Sequence, residues 1–277
     1  LDTADVYGGG RSEQLIGKFL KENPSELFVA TKLGRRDHVF PDNFTPENLR
    51  GCTEDSLKHL GVESLDLTQL HCLPTEVLRQ GEVFDEMRKQ QAAGLIRHWG
   101  VSVESMEEAL ICMEQDGLTS LQIIFNVFRR KPAEILFEKA KAMNIAIIVR
   151  LPLASGLLSG KLSSNSTFAE NDHRDFNADG QFFNVGETFA GLGLDKGTEL
   201  ADELKQFVPE DMRMATMALR WILDFDGITT IIPGASRVEQ AQGNASASKL
   251  PSLPDELHQK LKAFYNEKVT SQIRGPY

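Results

Sequence analysis

Leu65-Asp-Leu-Thr-Gln-Leu-His71 is a short run of strand length, bounded by turn residues. A helical pattern from Val77 to Ala93 follows, stopped by Gly94, and then a second run, Ile96-Arg-His-Trp-Gly-Val-Ser102. Strand, helix, strand in this order predicts a parallel pair joined by a crossover helix. The same unit recurs on both sides. Upstream, Glu26-Leu-Phe-Val-Ala-Thr-Lys32 is a nearly all-apolar strand, as in a parallel sheet buried on both faces. Thr45-Pro46-Glu47 then starts a helix that runs to His59-Leu60 and ends at Gly61. Downstream come a helix over Met106–Gln115, a strand over Leu121–Asn126, a helix over Pro132–Met143 and a strand over Ile145–Arg150. The units repeat about every 30 residues, the spacing of βαβ modules.

The alternation then breaks. Leu151 to Gly193 is rich in Gly, Ser, Asn, Asp and Phe and is too long for an ordinary connection, which predicts a substrate or cofactor loop. Helical patterns resume over Gly197–Phe207 and Met212–Leu223. A last strand, Ile228–Ile232, a helix over Val238–Ala247 and a terminal helix over Pro254–Lys268 complete the chain. At the other end, Ser12 opens a helix with Leu15, Ile16, Phe19 and Leu20 on one face, preceded by a strand stub at Leu1–Thr3. Six complete strands follow that stub. An open doubly wound sheet would place GxGxxG after its first strand. Gly8-Gly9-Gly10 lacks that spacing, so a single α/β barrel over 1–277 is expected, short of its first strand and most of its second.

Composition narrows the class. The chain has 277 residues, 41% of them hydrophobic, enough for one sizeable core. A net charge of −10 argues against a nucleic-acid surface, so any bound anion needs a local pocket of cations or N–H groups. Cys52, Cys72 and Cys112 are far apart with no CxxC, which fits a reducing, cytoplasmic setting and argues against a disulfide framework or a zinc site. No apolar run approaches the roughly 18 residues of a membrane span. The chain starts without Met, within a strand, so a targeting segment cannot be read.

The ionisable residues cluster at strand ends. Asp2 and Tyr7 flank the turn after the stub, Lys32 ends the next strand and His71 the one after that. Strand ends carry the chemistry of barrel enzymes. A tyrosine can act as an acid near neutral pH when a cation lowers its pKa from about 10. The bland reading is a strand cap, a turn tyrosine, a solvent-reaching lysine and a core histidine. A second constellation follows the last strand: Ile232-Pro-Gly-Ala-Ser-Arg-Val-Glu-Gln puts N–H groups, a hydroxyl and a guanidinium at a helix N-terminus, which suits a phosphate. Trp99 and Trp221 read as core.

Several motifs together resemble the aldo-keto reductases. They are Asp2-Thr-Ala-Asp-Val-Tyr7-Gly8, Val29-Ala-Thr-Lys32, Asp66-Leu-Thr-Gln-Leu-His71, Gly100-Val-Ser102, Leu121-Gln122, Pro152-Leu153 with Gly156-Leu-Leu-Ser-Gly-Lys161, and Ile231-Ile-Pro-Gly-Ala-Ser-Arg237, in family order along the chain. The resemblance implies a TIM-type (β/α)8 barrel that binds NADPH without a Rossmann fold and reduces an aldehyde or ketone to an alcohol. It implies that Asp2, Tyr7, Lys32 and His71 form the catalytic set. Tyr7 then gives the proton, Lys32 paired with Asp2 stabilises the phenolate, and His71 orients the carbonyl. It further implies that Gly234, Ala235, Ser236, Arg237, Gln240 and Asn244 line the adenosine end of the cofactor, with Arg237 favouring NADPH over NADH. Ser102 and Gln122 would hold the nicotinamide carboxamide, and Leu153, Gly156 and Lys161 the pyrophosphate. Two positions depart from the family pattern. Val103 stands where Asn is usual, and Arg150 stands where many members place an aromatic residue under the ring; some branches use Arg there. The partner expected is a small carbonyl compound, with no metal, nucleic acid or membrane, and a homo-oligomer is left open. Two other classes compete: a cofactor-binding regulatory or scaffold protein with little turnover, and an isomerase or lyase barrel, for which no phosphate or metal cluster is evident.

Overall fold

A computed structural model describes residues 1–23 and 26–277. Its first elements are α1 (Arg11–Glu22), β1 (Ala30–Leu33), α2 (Pro46–Leu60), β2 (Leu65–His71), α3 (Thr75–Gln80), α4 (Glu82–Ala92), β3 (Ile96–Ser102), α5 (Met106–Met113) and β4 (Ser120–Ile124). Then come α6 (Lys131–Ile135), α7 (Phe137–Ala142), β5 (Ala146–Arg150), α8 (His173–Phe176), α9 (Leu194–Leu204), α10 (Met214–Leu223), β6 (Thr230–Ile231), α11 (Val238–Ser246) and α12 (Asp255–Phe264). Strand order follows chain order from β1 to β6. The predicted parallel pairing is found in β1–β2, β2–β3, β3–β4 and β5–β6. The stub contributes one parallel bridge, Asp2 to Ala30, extended by Thr3 N–H donating to Ala30 O at 2.9 Å.

The described residues divide into two compact units. One comprises Leu1–Val103, Glu107–Gln122 and Met143–Ala146; the other comprises Glu104–Met106, Ile123–Ala142 and Ile147–Tyr277. Trp99 and Phe84, both fully buried, anchor the first, their rings 5.9 Å apart. In the second, Phe125 stacks on Trp221 at 5.0 Å, with Phe137 and Phe225 edge-on. Both tryptophans are core, as expected.

Local chemistry explains where the elements depart from the sequence reading. Thr45 caps α2 by accepting from Asn48 N–H, and Gly61 ends it at φ +68°, as predicted. The helix expected over Val77–Ala93 is two, because Gly81 sits at φ +86° and breaks the helical ladder. The helix over Pro132–Met143 is likewise divided, at Leu136. β1 begins at Ala30 and not at Glu26: the Val29 N–H goes to the Asp66 carboxylate at 3.0 Å, and Leu27 and Phe28 are exposed. In α1 the buried residues are Glu13 and Gly17, whereas Leu15 and Phe19 are exposed. Gly17 has no side chain, so the His59 carbonyl and Leu60 of α2 pack directly onto its backbone, and a methyl there would overlap them. Glu13 is drawn inward by Thr31 Oγ1, 2.5 Å away, and by the His59 ring at 3.0 Å. These two contacts set the rotation of α1 and override its apolar stripe.

Candidate active site

The first unit gathers the polar ends of its strands around one lysine. Lys32, on β1, is 1% exposed and its Nζ donates to three acceptors: Asp2 Oδ1 at 2.6 Å, the Thr3 carbonyl at 2.8 Å and Tyr7 Oη at 3.3 Å. The ammonium also lies 4.9 Å from the centre of the Tyr7 ring. Such burial is costly for a cation unless its donors are satisfied, and here all three are. Gln122, on β4, donates to the other Asp2 oxygen at 2.8 Å and to Gln69 Oε1 at 3.3 Å. Asp2 is therefore held from two sides. The His71 ring, at the end of β2, meets the Tyr7 ring edge-on, with centroids 5.8 Å apart. Asp2, Tyr7, Lys32 and His71 come together as one cluster.

Ser102 pairs in register with His71 across β2 and β3 and is buried, with Cys72 Sγ 3.4 Å from its hydroxyl. Tyr7 itself is 42% exposed, so its phenol joins a buried lysine to an open surface. Its loop needs left-handed backbone at Gly8, Gly9 and Gly10 in succession, with φ of +61°, +63° and +89°, which only glycine adopts at little cost.

Behind the loop lies a second group of charges. Asp5 is 3% exposed; Arg36 Nε donates to its Oδ2 at 2.9 Å and Arg36 NH1 to Asp55 of α2 at 2.7 Å. Burial pushes the Asp5 carboxyl up to about 6, against the pull of Arg36 and with the help of the Glu13 charge. Burial and the Asp5 charge push the Cys52 thiol to about 11, which keeps it a neutral thiol at physiological pH.

The second unit carries a cavity of about 850 Å³. Of the residues expected at a cofactor, Leu153, Lys161, Gly234, Arg237, Gln240 and Asn244 line it; Gly156, Ala235 and Ser236 do not. Lys205 and Arg213 line it too. Among the described residues no hydrogen bond or ion pair engages the side chains of Lys161, Arg213 or Arg237, whereas Lys205 is paired with Asp202 at 2.6 Å. The turn after β6 is organised by its own side chains. Gln240 Oε1 accepts from the Ser236 N–H at 2.8 Å and its hydroxyl at 3.0 Å, and Asn244 Nδ2 donates to the Gly234 carbonyl at 3.2 Å.

Arg150 ends β5 with its NH1 2.5 Å from Glu187 Oε1. Glu187 belongs to the long segment expected to be a loop, which contains α8 and several tight turns. Asn177, fully buried, ties that segment together by accepting from the Phe182 and Phe183 N–H groups and donating to Thr188 Oγ1. Arg129, also buried, donates to the Ala190 and Pro276 carbonyls and lies over the Tyr277 ring at 4.1 Å. Sequence reasoning missed Arg213, Glu187 and the Asp5–Arg36 pair. A basic residue directly before a helix was the available signal for Arg213; nothing periodic marked Glu187.

Residues 1–266 match the family model described as the aldo/keto reductase family. A probable aldo-keto reductase of Glycine max is 29% identical over 256 residues, covering 89% of this chain and 69% of that protein. The solved glycerol dehydrogenase of Gluconobacter oxydans is 30% identical with a TM-score of 0.77, covering 100% of this chain and 83% of that one. An aldo-keto reductase of Klebsiella pneumoniae, solved in complex with NADPH, is 21% identical with a TM-score of 0.67, over 95% of this chain and 78% of its own. The last likeness carries the fold alone, the (β/α)8 barrel expected from the strand–helix repeat. With the family model spanning nearly the whole chain, the protein belongs to the aldo/keto reductases, a family of oxidoreductases.

Proposed function

We propose that the protein reduces the carbonyl of an aldehyde or ketone to an alcohol with NADPH, and that Tyr7 is the proton donor. The observation that carries this reading is the three-way bond of Lys32 to Asp2, the Thr3 carbonyl and Tyr7. As charge builds on the substrate oxygen, Tyr7 gives it a proton and is left as a phenolate. The buried ammonium of Lys32, 3.3 Å from that oxygen, favours the phenolate over the phenol. Asp2 fixes the lysine and Gln122 fixes Asp2, so the donor's environment is set before substrate arrives. His71, against the Tyr7 ring, orients the carbonyl oxygen.

The cofactor reading is supported by donor chemistry. Lys161, Arg213 and Arg237 face one cavity without protein partners, in a chain of net charge −10. Such a set suits the pyrophosphate and 2′-phosphate of NADPH, with Leu153, Gly234, Gln240 and Asn244 completing the lining. Ser102 and the oxygen of Gln122 would hold the carboxamide. Arg150 would lie beneath the ring, its charge offset by Glu187. NADPH, when bound, supplies the hydride.

A steady-state screen of NADPH oxidation against aldehydes, ketones and dicarbonyls tests the proposal. Turnover with at least one class is expected. NADPH binding with no turnover across the panel would replace this reading with a cofactor-binding regulatory protein.

A further inference from the structure

We infer that Asp5, gripped by Arg36, is a positioning residue that sets where the Tyr7 phenol stands relative to Lys32; the inference rests on the reading of Tyr7 as the proton donor. The Tyr7 turn is tied to β1 by the Asp5 N–H, which donates to the Lys32 carbonyl at 3.1 Å, and is closed on itself by the Tyr7 N–H, which donates to Ala4 O at 3.1 Å. Beyond Tyr7 come three left-handed glycines, which impose no side-chain constraint. The side-chain anchor nearest the phenol on the chain is therefore the Asp5 carboxylate, two residues before it. Arg36 lies four residues beyond Lys32 and bridges Asp5 to Asp55 on α2. One guanidinium thus joins the tyrosine loop, the lysine strand and a helix.

The grip is unusual in its charge balance. Arg36 is the principal compensation for the buried Asp5 carboxylate, with the Cys52 thiol a minor second donor. The other groups facing it are Glu13 from α1, itself bonded to His59 and Thr31, and Cys52 and Asp55 from α2. Glu13 opposes the Asp5 charge, Cys52 is a neutral thiol and Asp55 competes for the same guanidinium. Burial raises the Asp5 carboxyl to about 6, and once it is protonated the still-charged Arg36 guanidinium faces a neutral acid, so the attraction between opposite charges is lost and a weaker hydrogen bond remains. The Asp5–Arg36–Asp55 clamp thus stands two residues from Tyr7 and holds its turn through geometry, with an ion pair that acid would weaken.

The test compares wild type with Asp5→Asn and Arg36→Lys from about pH 5 to pH 8, following kcat, the NADPH Kd and the thermal melt. Asp5→Asn mimics the protonated clamp. It is expected to lower kcat about 10-fold at neutral pH, to leave the NADPH Kd within about twofold and to lack the fall of kcat expected of wild type between neutral pH and about pH 5. Arg36→Lys keeps the charge and should recover part of the loss. A wild-type kcat and acid limb in Asp5→Asn overturn the inference, as does loss of the cooperative melt in both variants, which assigns the pair to folding alone. A readout free of turnover separates this from failure of the reductase reading. The chain has three tyrosines, and Tyr265 is buried with its hydroxyl bonded to that of Tyr277. Ultraviolet titration with Tyr7→Phe as the blank isolates the Tyr7 phenol. Its midpoint should move between wild type and Asp5→Asn, and an unmoved midpoint sinks the inference whatever the carbonyl screen returns.

Discussion

Two regions of this molecule handle cations in opposite ways. In the first unit Lys32 is buried and its ammonium is shared among a carboxylate, a carbonyl and a phenol. In the second, Lys161, Arg213 and Arg237 line a cavity of about 850 Å³ with Glu239 and, among the described residues, no hydrogen bond or ion pair engages their side chains. A saturated buried cation cannot bind a passing anion, but it can bias the protonation of a group it touches. An unsaturated exposed cation does the reverse: it contributes little to folding and attracts phosphate. The difference separates two kinds of cation, one suited to biasing a proton and one suited to holding an anion.

Substitutions should separate the two. Lys32→Met strikes the saturated side and is expected to have the largest effect. It leaves Asp2 without its cation, so stability should fall by about 3–5 kcal/mol, as when one partner of a buried pair is removed. Turnover should fall at least about 100-fold. Chemical denaturation and steady-state kinetics measure both. Arg237→Ala strikes the unsaturated side. Its midpoint of unfolding should stay within about 0.5 kcal/mol of wild type, while the NADPH Kd rises about 10-fold, one charge-assisted contact's worth. NADH affinity should barely change. An Arg237→Ala variant that unfolds early, or a Lys32→Met variant that is merely weak for NADPH, would erase the contrast.

A smaller effect concerns folding and pH. The Asp5 carboxyl is held near 6 in the folded chain against an ordinary 3.8, so between those values the folded state keeps a proton that the unfolded state has lost. Asp5 therefore favours folding below about pH 4, and that contribution declines as pH rises toward 6. Comparing the pH dependence of unfolding for wild type and Asp5→Asn should show this component only in wild type.

How much of this could be read from the residues alone follows from where each feature is encoded. β2, β3 and α2 were legible almost to the residue, because Thr45-Pro46, Gly61 and the strand-length runs are local signals. The cluster of Asp2, Tyr7, Lys32 and His71 was legible because each sits at or beside a strand end and parallel strands bring such ends together. The break at Gly81 was not, since a glycine inside a helical pattern signals weakness and not its φ. Nor was the rotation of α1: Leu15 and Phe19 announce an apolar face, but the bare backbone of Gly17 and the bonds to Glu13 decide which side packs. Glu187 and Arg213 reach their places through loops and tertiary packing, which leave no periodic trace. Ser236 and Gln240 were expected to face cofactor, and their bonds to each other emerge only from the folded turn.

The central claim, that Tyr7 delivers the proton, is tested most directly by Tyr7→Phe. The measurement is single-turnover NADPH oxidation by NADPH-saturated protein with a carbonyl that wild type reduces. The NADPH Kd should be unchanged while the single-turnover rate falls at least about 100-fold, the loss expected when a general acid is removed. A rate equal to wild type would contradict the account and remove Tyr7 from the chemistry.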